Sequence, residues 1–303
     1  MSATTILLAV AKLTRPLTIR DVRGLSGMTY LDRRDFLEIW QSLPAERRTT
    51  IARELIELAE EHVELAFGEL WSWLLDDREA AVRISAIEGL WEDTSTKMLR
   101  RMVDIFTSDA STDVRAAAAI GLSRFACLAA LGELAEGEEA LEQALSAAAL
   151  DTGLPTELRR RALESAGYFA ENEQIQNQVE RDYASGEQLL AESALVAMGR
   201  SMLPRWLPVI GKALGHESPA LRYEACRAAG ELADEAQPLL PKIFPLVTDS
   251  DSEIALAAIW ALGQIGGEQA ERALKQVSRS SDTARSQAAA EALEELSGGD
   301  SLV

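Results

Sequence analysis

Read at the period of a helix, the chain carries one pattern seven times. Segments starting at Val82 (VRISAIEGL), Val114 (VRAAAAIGL), Leu158 (LRRRALESAG), Leu190 (LAESALVAMG), Leu221 (LRYEACRAAG), Ile254 (IALAAIWALG) and Ala284 (ARSQAAAEAL) align at spacings of 32, 44, 32, 31, 33 and 30 residues. With each start counted as position zero, positions 0, 4 and 8 are apolar in every copy, and these three stack on one face of an α-helix. Hydrophobic residues make up 47% of the chain, so composition alone would fill roughly half of those positions. The stripe therefore marks a buried face. A helix of about three turns does not persist alone in water, so neighbouring copies must cover it.

The intervening stretches at 97–107, 173–183, 203–214, 238–248 and 268–278 read as the first helices of hairpins whose second helices are the aligned copies. Pro155, Pro204, Pro219 and Pro238 fall near the expected helix starts, where the missing N–H would have been unpaired anyway. Position 9 is Gly in four consecutive copies, Gly167, Gly199, Gly230 and Gly263. Mid-helix Gly costs up to about 1 kcal/mol against Ala, which close helix approach or helix termination would offset.

Position 1 is Arg in five copies: Arg83, Arg115, Arg159, Arg222 and Arg285. Acids precede it at Asp77, Asp113, Glu157, Asp251 and Asp282, near the helix N-terminus, where a carboxylate caps free N–H groups and suits the dipole. An acid followed by V-R-x-x-A-x-x-x-L at a period near 32 resembles the HEAT repeats, in particular the phycobilisome-lyase-type HEAT-like repeats of bacteria, over residues 76–296. The resemblance implies an all-α fold of the α-α superhelix class, a HEAT-like solenoid of helical hairpins with the second helices on the concave side. It also implies that Asp and Arg form a structural ladder, interrupted where copies four and six carry Ala191 and Ala255. The string Met198-Gly199-Arg200-Ser201 with Arg205-Trp206 resembles one that recurs in uncharacterised bacterial HEAT-repeat proteins; Trp206 falls where a first helix begins and covers the turn before it.

The ends differ from the array. Residues 30–75 carry Trp40, Phe67, Trp71 and Trp73 with helical periodicity and read as an N-terminal cap that keeps the first repeat face dry. Residues 1–29 read as a flexible basic arm, docked loosely, folded back on the acidic array or gripping a partner. The spacing of 44 contains an acidic insertion near 126–155. Residues 297–303 read as a disordered tail, whose Ser301-Leu302-Val303 end fits a sheet-edge peptide pattern that short sequences match by chance.

Charge narrows the partners. The net charge is −19, which repels a nucleic-acid backbone or an anionic bilayer over most of the surface. Residues 1–35 are the exception, with six basic residues against three acidic ones. That segment supplies the alternative of nucleic-acid or membrane-surface binding through the arm. The apolar run at residues 3–11 is too short to span a membrane and lacks the basic start of a secretory leader. The two cysteines, Cys127 and Cys226, give no disulfide framework, and a cytoplasmic location is expected.

Catalytic chemistry lacks its raw materials. The only histidines are His62 and His216, and neither has a second His or Cys at ligand spacing. Deoxyhypusine hydroxylases share a HEAT-like fold but hold two irons through several His-Glu pairs, and here only His216-Glu217 occurs. His216 reads as a turn residue. No phosphate-binding loop or nucleophile elbow is present, and pairs such as Asp76-Asp77 and Glu138-Glu139 are what a solvated acidic surface supplies. No enzymatic activity, metal or cofactor is expected.

Positions 2, 6 and 10 lie opposite the buried stripe and are expected to face out. Along copies two to six this row gathers Arg124, Arg160, Tyr168, Arg200, Tyr223, Arg227 and Trp260, residue types over-represented at binding hot spots. The row predicts a site for a protein or peptide partner on the concave face. The competing reading pairs the arginines with neighbouring glutamates and packs the aromatics on adjacent repeats. The resulting expectation is a non-enzymatic interaction scaffold or assembly factor. The repeat type suggests one rival, a bilin lyase-like chromophore chaperone.

Overall fold

The computed structural model describes residues 3–299, and every regular element among them is helical. The chain forms two compact units, residues 1–125 with 134–137, and residues 126–133 with 138–303. The fold class is that of the α-α superhelix.

The first unit contains α1 (Ala3–Ala11), α2 (Ile19–Val22), α3 (Arg33–Ser42), α4 (Ala45–Glu61), α5 (Gly68–Leu74), α6 (Ala80–Gly89), α7 (Thr96–Ser108) and most of α8 (Thr112–Ala130). Its N-terminal segment is not a loose arm. Helix α1 packs on α3, and Leu7, Val10, Leu17, Val22, Leu25 and Met28 are buried. Arg47 donates from Nη2 to the Val10 carbonyl at 2.6 Å, tying α4 to the end of α1. Gaps of seven and five residues around Leu17 break any period through these positions, so their burial was hidden beside the basic charge.

The second unit contains α9 (Glu138–Leu150), α10 (Thr156–Ala166), α11 (Glu173–Ala184), α12 (Gln188–Arg200), α13 (Leu207–Ala213), α14 (Pro219–Glu231), α15 (Leu240–Ile243), α16 (Ser252–Ile265), α17 (Gly267–Val277) and α18 (Thr283–Gly299). Helices α10, α12, α14, α16 and α18 stack in one layer, each on the next, while α11, α13 and α17 pack against that layer as first helices. Between 233 and 248 the first helix is broken into 3₁₀ segments around α15, because Pro238, Pro241 and Pro245 each withhold an N–H. The acidic insertion supplies α9, which buries Leu141, Leu145 and Ala149 and packs on α10. Helix α18 continues through Gly299, into the segment expected as tail; Ser301, Leu302 and Val303 lie outside the described residues.

The stripe at positions 0, 4 and 8 is the core. Its residues are all buried except Leu190, Ala284 and Ala288; the two alanines lie on α18, the last helix of the stack. The glycines at position 9 serve close approach. A Cβ on Gly167 would lie 2.8 Å from Cα and 2.9 Å from the carbonyl oxygen of Ala197, and one on Gly199 would lie 2.8 Å from Cα of Ala228. Backbone cannot yield as a side chain tip can, so Gly167→Ala should destabilise by about 1–3 kcal/mol despite its better helix propensity. Urea denaturation followed by circular dichroism measures this, and a stabilised variant would show that α10 and α12 can separate freely.

The Asp–Arg ladder exists, with Asp77 and Asp282 among the acids singled out and Asp109 and Asp249 beside them. Arg83 pairs with Asp109 (Nη2 to Oδ1, 2.7 Å), and Arg222 with Asp249 (Nε to Oδ2, 3.2 Å). Each acid also accepts the backbone N–H two residues on, from Ser111 and Asp251 respectively. Arg48 and Asp77 repeat the arrangement, with Asp77 accepting from Glu79 N at 2.8 Å. Each arginine thus links its own helix to the turn that opens the next second helix. Arg115 instead donates to the Phe106 carbonyl, while Arg285 donates to the Asp249 carbonyl and also pairs with Asp282 (Nε to Oδ2, 3.3 Å). Of the acids first singled out, Asp251 and Asp282 cap their helices, accepting from Glu253 N and Arg285 N. His216 takes the turn position held elsewhere by aspartate: its Nδ1 accepts from Ser218 N at 3.0 Å.

Candidate functional site

Stacking of the second helices decides what the row at positions 2, 6 and 10 can present. The row does not face wholly outward. It lies along the seams between successive second helices, and Arg124, Arg160, Tyr168, Arg200, Tyr223, Arg227 and Trp260 are all partly covered. The cause is the close approach that the glycines permit: Trp260 lies across Gly230, with ring atoms 2.3–2.9 Å from where a Cβ would stand.

Arg124 belongs to the first unit and the other six to the second. Its guanidinium donates to the carbonyls of Gly121 (3.0 Å) and Asp93 (3.1 Å) and sits 4.6 Å from the Phe125 ring centroid. Burial lowers its pKa to about 10, with Asp93 opposing. Arg124 is therefore committed to holding the turn after α6.

In the second unit, Arg160 is also committed. It donates to Glu157 (Nη2 to Oε1, 2.8 Å), to Glu164 (3.3 Å) and to Ser193 Oγ on α12 (3.3 Å). Ser193 in turn donates to Glu164 at 2.6 Å. Buried Glu164 is thus satisfied from α10 and α12 together. For Arg160 the pairing with glutamates is the observed arrangement.

The remaining five residues form two cation–π pairs and a lone tyrosine. The Arg200 guanidinium lies 5.4 Å from the Tyr168 ring centroid, linking α12 to the end of α10. The Arg227 guanidinium lies 3.9 Å from the Trp260 ring centroid, linking α14 to α16. Arg227 also approaches Glu231 at 3.9 Å, and both side chains stay about two-fifths exposed (41% and 38%). Half-buried Tyr223 makes no hydrogen bond through its hydroxyl among the described residues. Burial raises the Tyr168 phenol to about 12, against the pull of Arg200.

Three carboxylates complete the surface. Glu192 on α12 accepts from Gln188 at 2.8 Å. Glu231 stands at the end of α14, its Cβ 3.3 Å from where one on Gly199 would be. Glu224, also on α14, accepts no hydrogen bond among the described residues. Its pKa is raised to about 7, first by burial and then by Glu164 and Glu192, while Arg227 and Arg200 pull it down. Glu224 was missed in the sequence because it occupies position 3, between the buried and outer rows, where a single helix does not say which neighbour it meets. Trp206, in contrast, is buried as its place in the sequence implied, with Arg205 over its ring at 4.3 Å and Nε1 donating to Gln176 at 3.3 Å.

No helix among the described residues is long and apolar enough to cross a membrane. No curated protein matches the sequence. Among solved structures, the chain is similar to an engineered protein at 17% identity, covering 97% of this chain and 88% of that one, with a TM-score of 0.42. It is similar to Escherichia coli YibA at 16% identity, covering 80% and 95%, with a TM-score of 0.43. Human deoxyhypusine hydroxylase aligns at 13% identity over 88% of this chain and 98% of its own, with a TM-score of 0.38. Likenesses this distant carry no function across. The family model of HEAT repeats matches residues 207–294, the span of α13 to α16 and the first and second helices that follow, which includes Tyr223, Arg227 and Trp260. Over residues 207–294 the chain therefore carries HEAT repeats.

Proposed function

We propose that the protein is a non-enzymatic interaction scaffold, holding a segment of a protein partner against the outer face of α10, α12, α14 and α16, the side that is concave in HEAT folds. The observation that carries this reading is the pair of arginine–aromatic stacks, Arg200 on Tyr168 and Arg227 on Trp260, with Tyr223 beside them on α14. Trp, Tyr and Arg dominate binding hot spots. Held against one another across helix seams, these side chains lose little further rotamer freedom when a partner arrives. Arg160, by contrast, supports the face without contacting the partner, since its guanidinium is held by Glu157, Glu164 and Ser193.

The double variant Tyr223→Ala/Arg227→Ala tests the proposal. Partners that co-purify with the native chain from its own cell should be lost or reduced about tenfold or more, the usual consequence of removing hot-spot side chains. The helical circular dichroism spectrum should be unchanged. An unchanged set of partners, with the spectrum intact, would overturn the assignment of this face.

A further inference from the structure

We infer that the segment seated on this face is basic, placing lysine or arginine side chains beside Glu192, Glu224 and Glu231. The inference rests on the binding face proposed above and names the chemistry of its occupant. The arginines of the face already have partners: Arg160 has Glu157 and Glu164, Arg200 has the Tyr168 ring, and Arg227 has the Trp260 ring. The carboxylates are in the opposite condition. Glu224 accepts no hydrogen bond among the described residues, Glu231 has a single distant cation at 3.9 Å, and Glu192 has a neutral amide. An acidic segment would meet these three with like charge, inside a chain whose net charge is −19. A basic one would add counter-charge to that of Arg200 and Arg227 and be drawn in by the field of the whole chain.

Spacing adds a constraint. Glu224 and Glu231 are seven residues apart on α14, about 10 Å along the helix axis, with Arg227 and Trp260 between them. Two cations three residues apart on an extended segment span about the same distance. The aliphatic stems of lysine or arginine can then lie over the tryptophan while their charged ends reach the two glutamates.

Seating a cation here favours the ionised form of Glu224, which faces Glu164 of α10, Glu192 and Arg200 of α12, and Arg227 of its own helix. Binding therefore expels a proton wherever the free protein holds one. With the carboxyl titrating near 7, affinity for the basic segment should rise by up to about tenfold between pH 6 and pH 8.

The test uses the full chain with an octalysine peptide, and with octaglutamate for comparison, by isothermal titration at low salt. Octalysine should bind and octaglutamate should not. The triple variant Glu192→Gln/Glu224→Gln/Glu231→Gln should weaken octalysine binding by at least about tenfold. Removing the same charge from exposed first-helix and turn positions, Glu171→Gln/Glu180→Gln/Glu235→Gln, should weaken it less than about threefold. Equal losses in the two variants would overturn the inference, because binding would then follow net charge and not this face. Loss of native partners in Tyr223→Ala/Arg227→Ala, combined with equal losses in the two glutamine variants, would leave the face standing and remove only its preference for basic segments.

Discussion

Asp77→Ala should lower the stability of the first unit by about 3–5 kcal/mol, the range seen when one member of a buried ion pair is removed. The Asp77 and Arg48 side chains are only 4% and 8% exposed. Asp77 also accepts from Trp40 Nε1 at 2.6 Å and from Glu79 N at 2.8 Å. Truncation leaves a buried guanidinium without its counter-charge and two donors without an acceptor, and each such donor costs about 1–3 kcal/mol. Arg48 keeps only the Leu43 carbonyl and the more distant, more exposed Glu79. The double variant Arg48→Met/Asp77→Ala removes the stranded charge and should recover part of the loss. Urea denaturation of both variants, with Asp104→Ala as an exposed control, measures the effect. A loss under about 1 kcal/mol for Asp77→Ala, the size of an exposed ion pair, would mean that water reaches the guanidinium and the clamp is not structural.

Glu224→Gln should stabilise the second unit at pH 8 and leave it unchanged at pH 4.5. The carboxyl's ordinary value is 4.5 and its folded value is raised to about 7. Between those values the folded state binds the proton and the unfolded state does not, so this group's stabilising contribution is full below pH 4.5 and fades as pH rises through 7. Above that, folding must hold an ionised carboxylate, partly buried, beside Glu164 and Glu192. The amide removes the charge while keeping the shape. The expected gain at pH 8 is on the order of 1–3 kcal/mol, read as the difference between thermal or urea transitions of the two chains at the two pH values. An equal effect at both would show that Glu224 is solvated and that its neighbours leave its proton alone.

What the sequence disclosed follows from which interactions are local. The stripe through Val82, Ala86 and Leu90 and its six counterparts was legible because burial imposes a period within one helix. The glycines at position 9 were legible as an anomaly, and the structure chose between close approach and termination. Helix α4 escaped the alignment although it packs on α6 and its Arg48 joins the same clamp as Arg83. Its position zero is Arg47, whose charge breaks the stripe while its guanidinium caps the end of α1. The pairing along the ladder was hidden for a related reason. Arg83 and Arg222 meet Asp109 and Asp249, 26 and 27 residues away, and that pairing is set by stacking. The packing of the outer row was hidden in the same way. One helix cannot show that Trp260 will cover Gly230 of the helix before it, nor that Glu164 will be sealed by Ser193 of the helix after it.

A cross-linking measurement tests most directly whether the face formed by the second helices of the second unit holds a partner. In the native cell, Tyr223→p-benzoylphenylalanine should give a specific photo-adduct that disappears when Trp260→Ala is added. The same photoreactive residue at Glu180, on the first-helix layer, should give none. Adducts of equal strength from both positions, or an adduct at 223 indifferent to Trp260, would contradict the account.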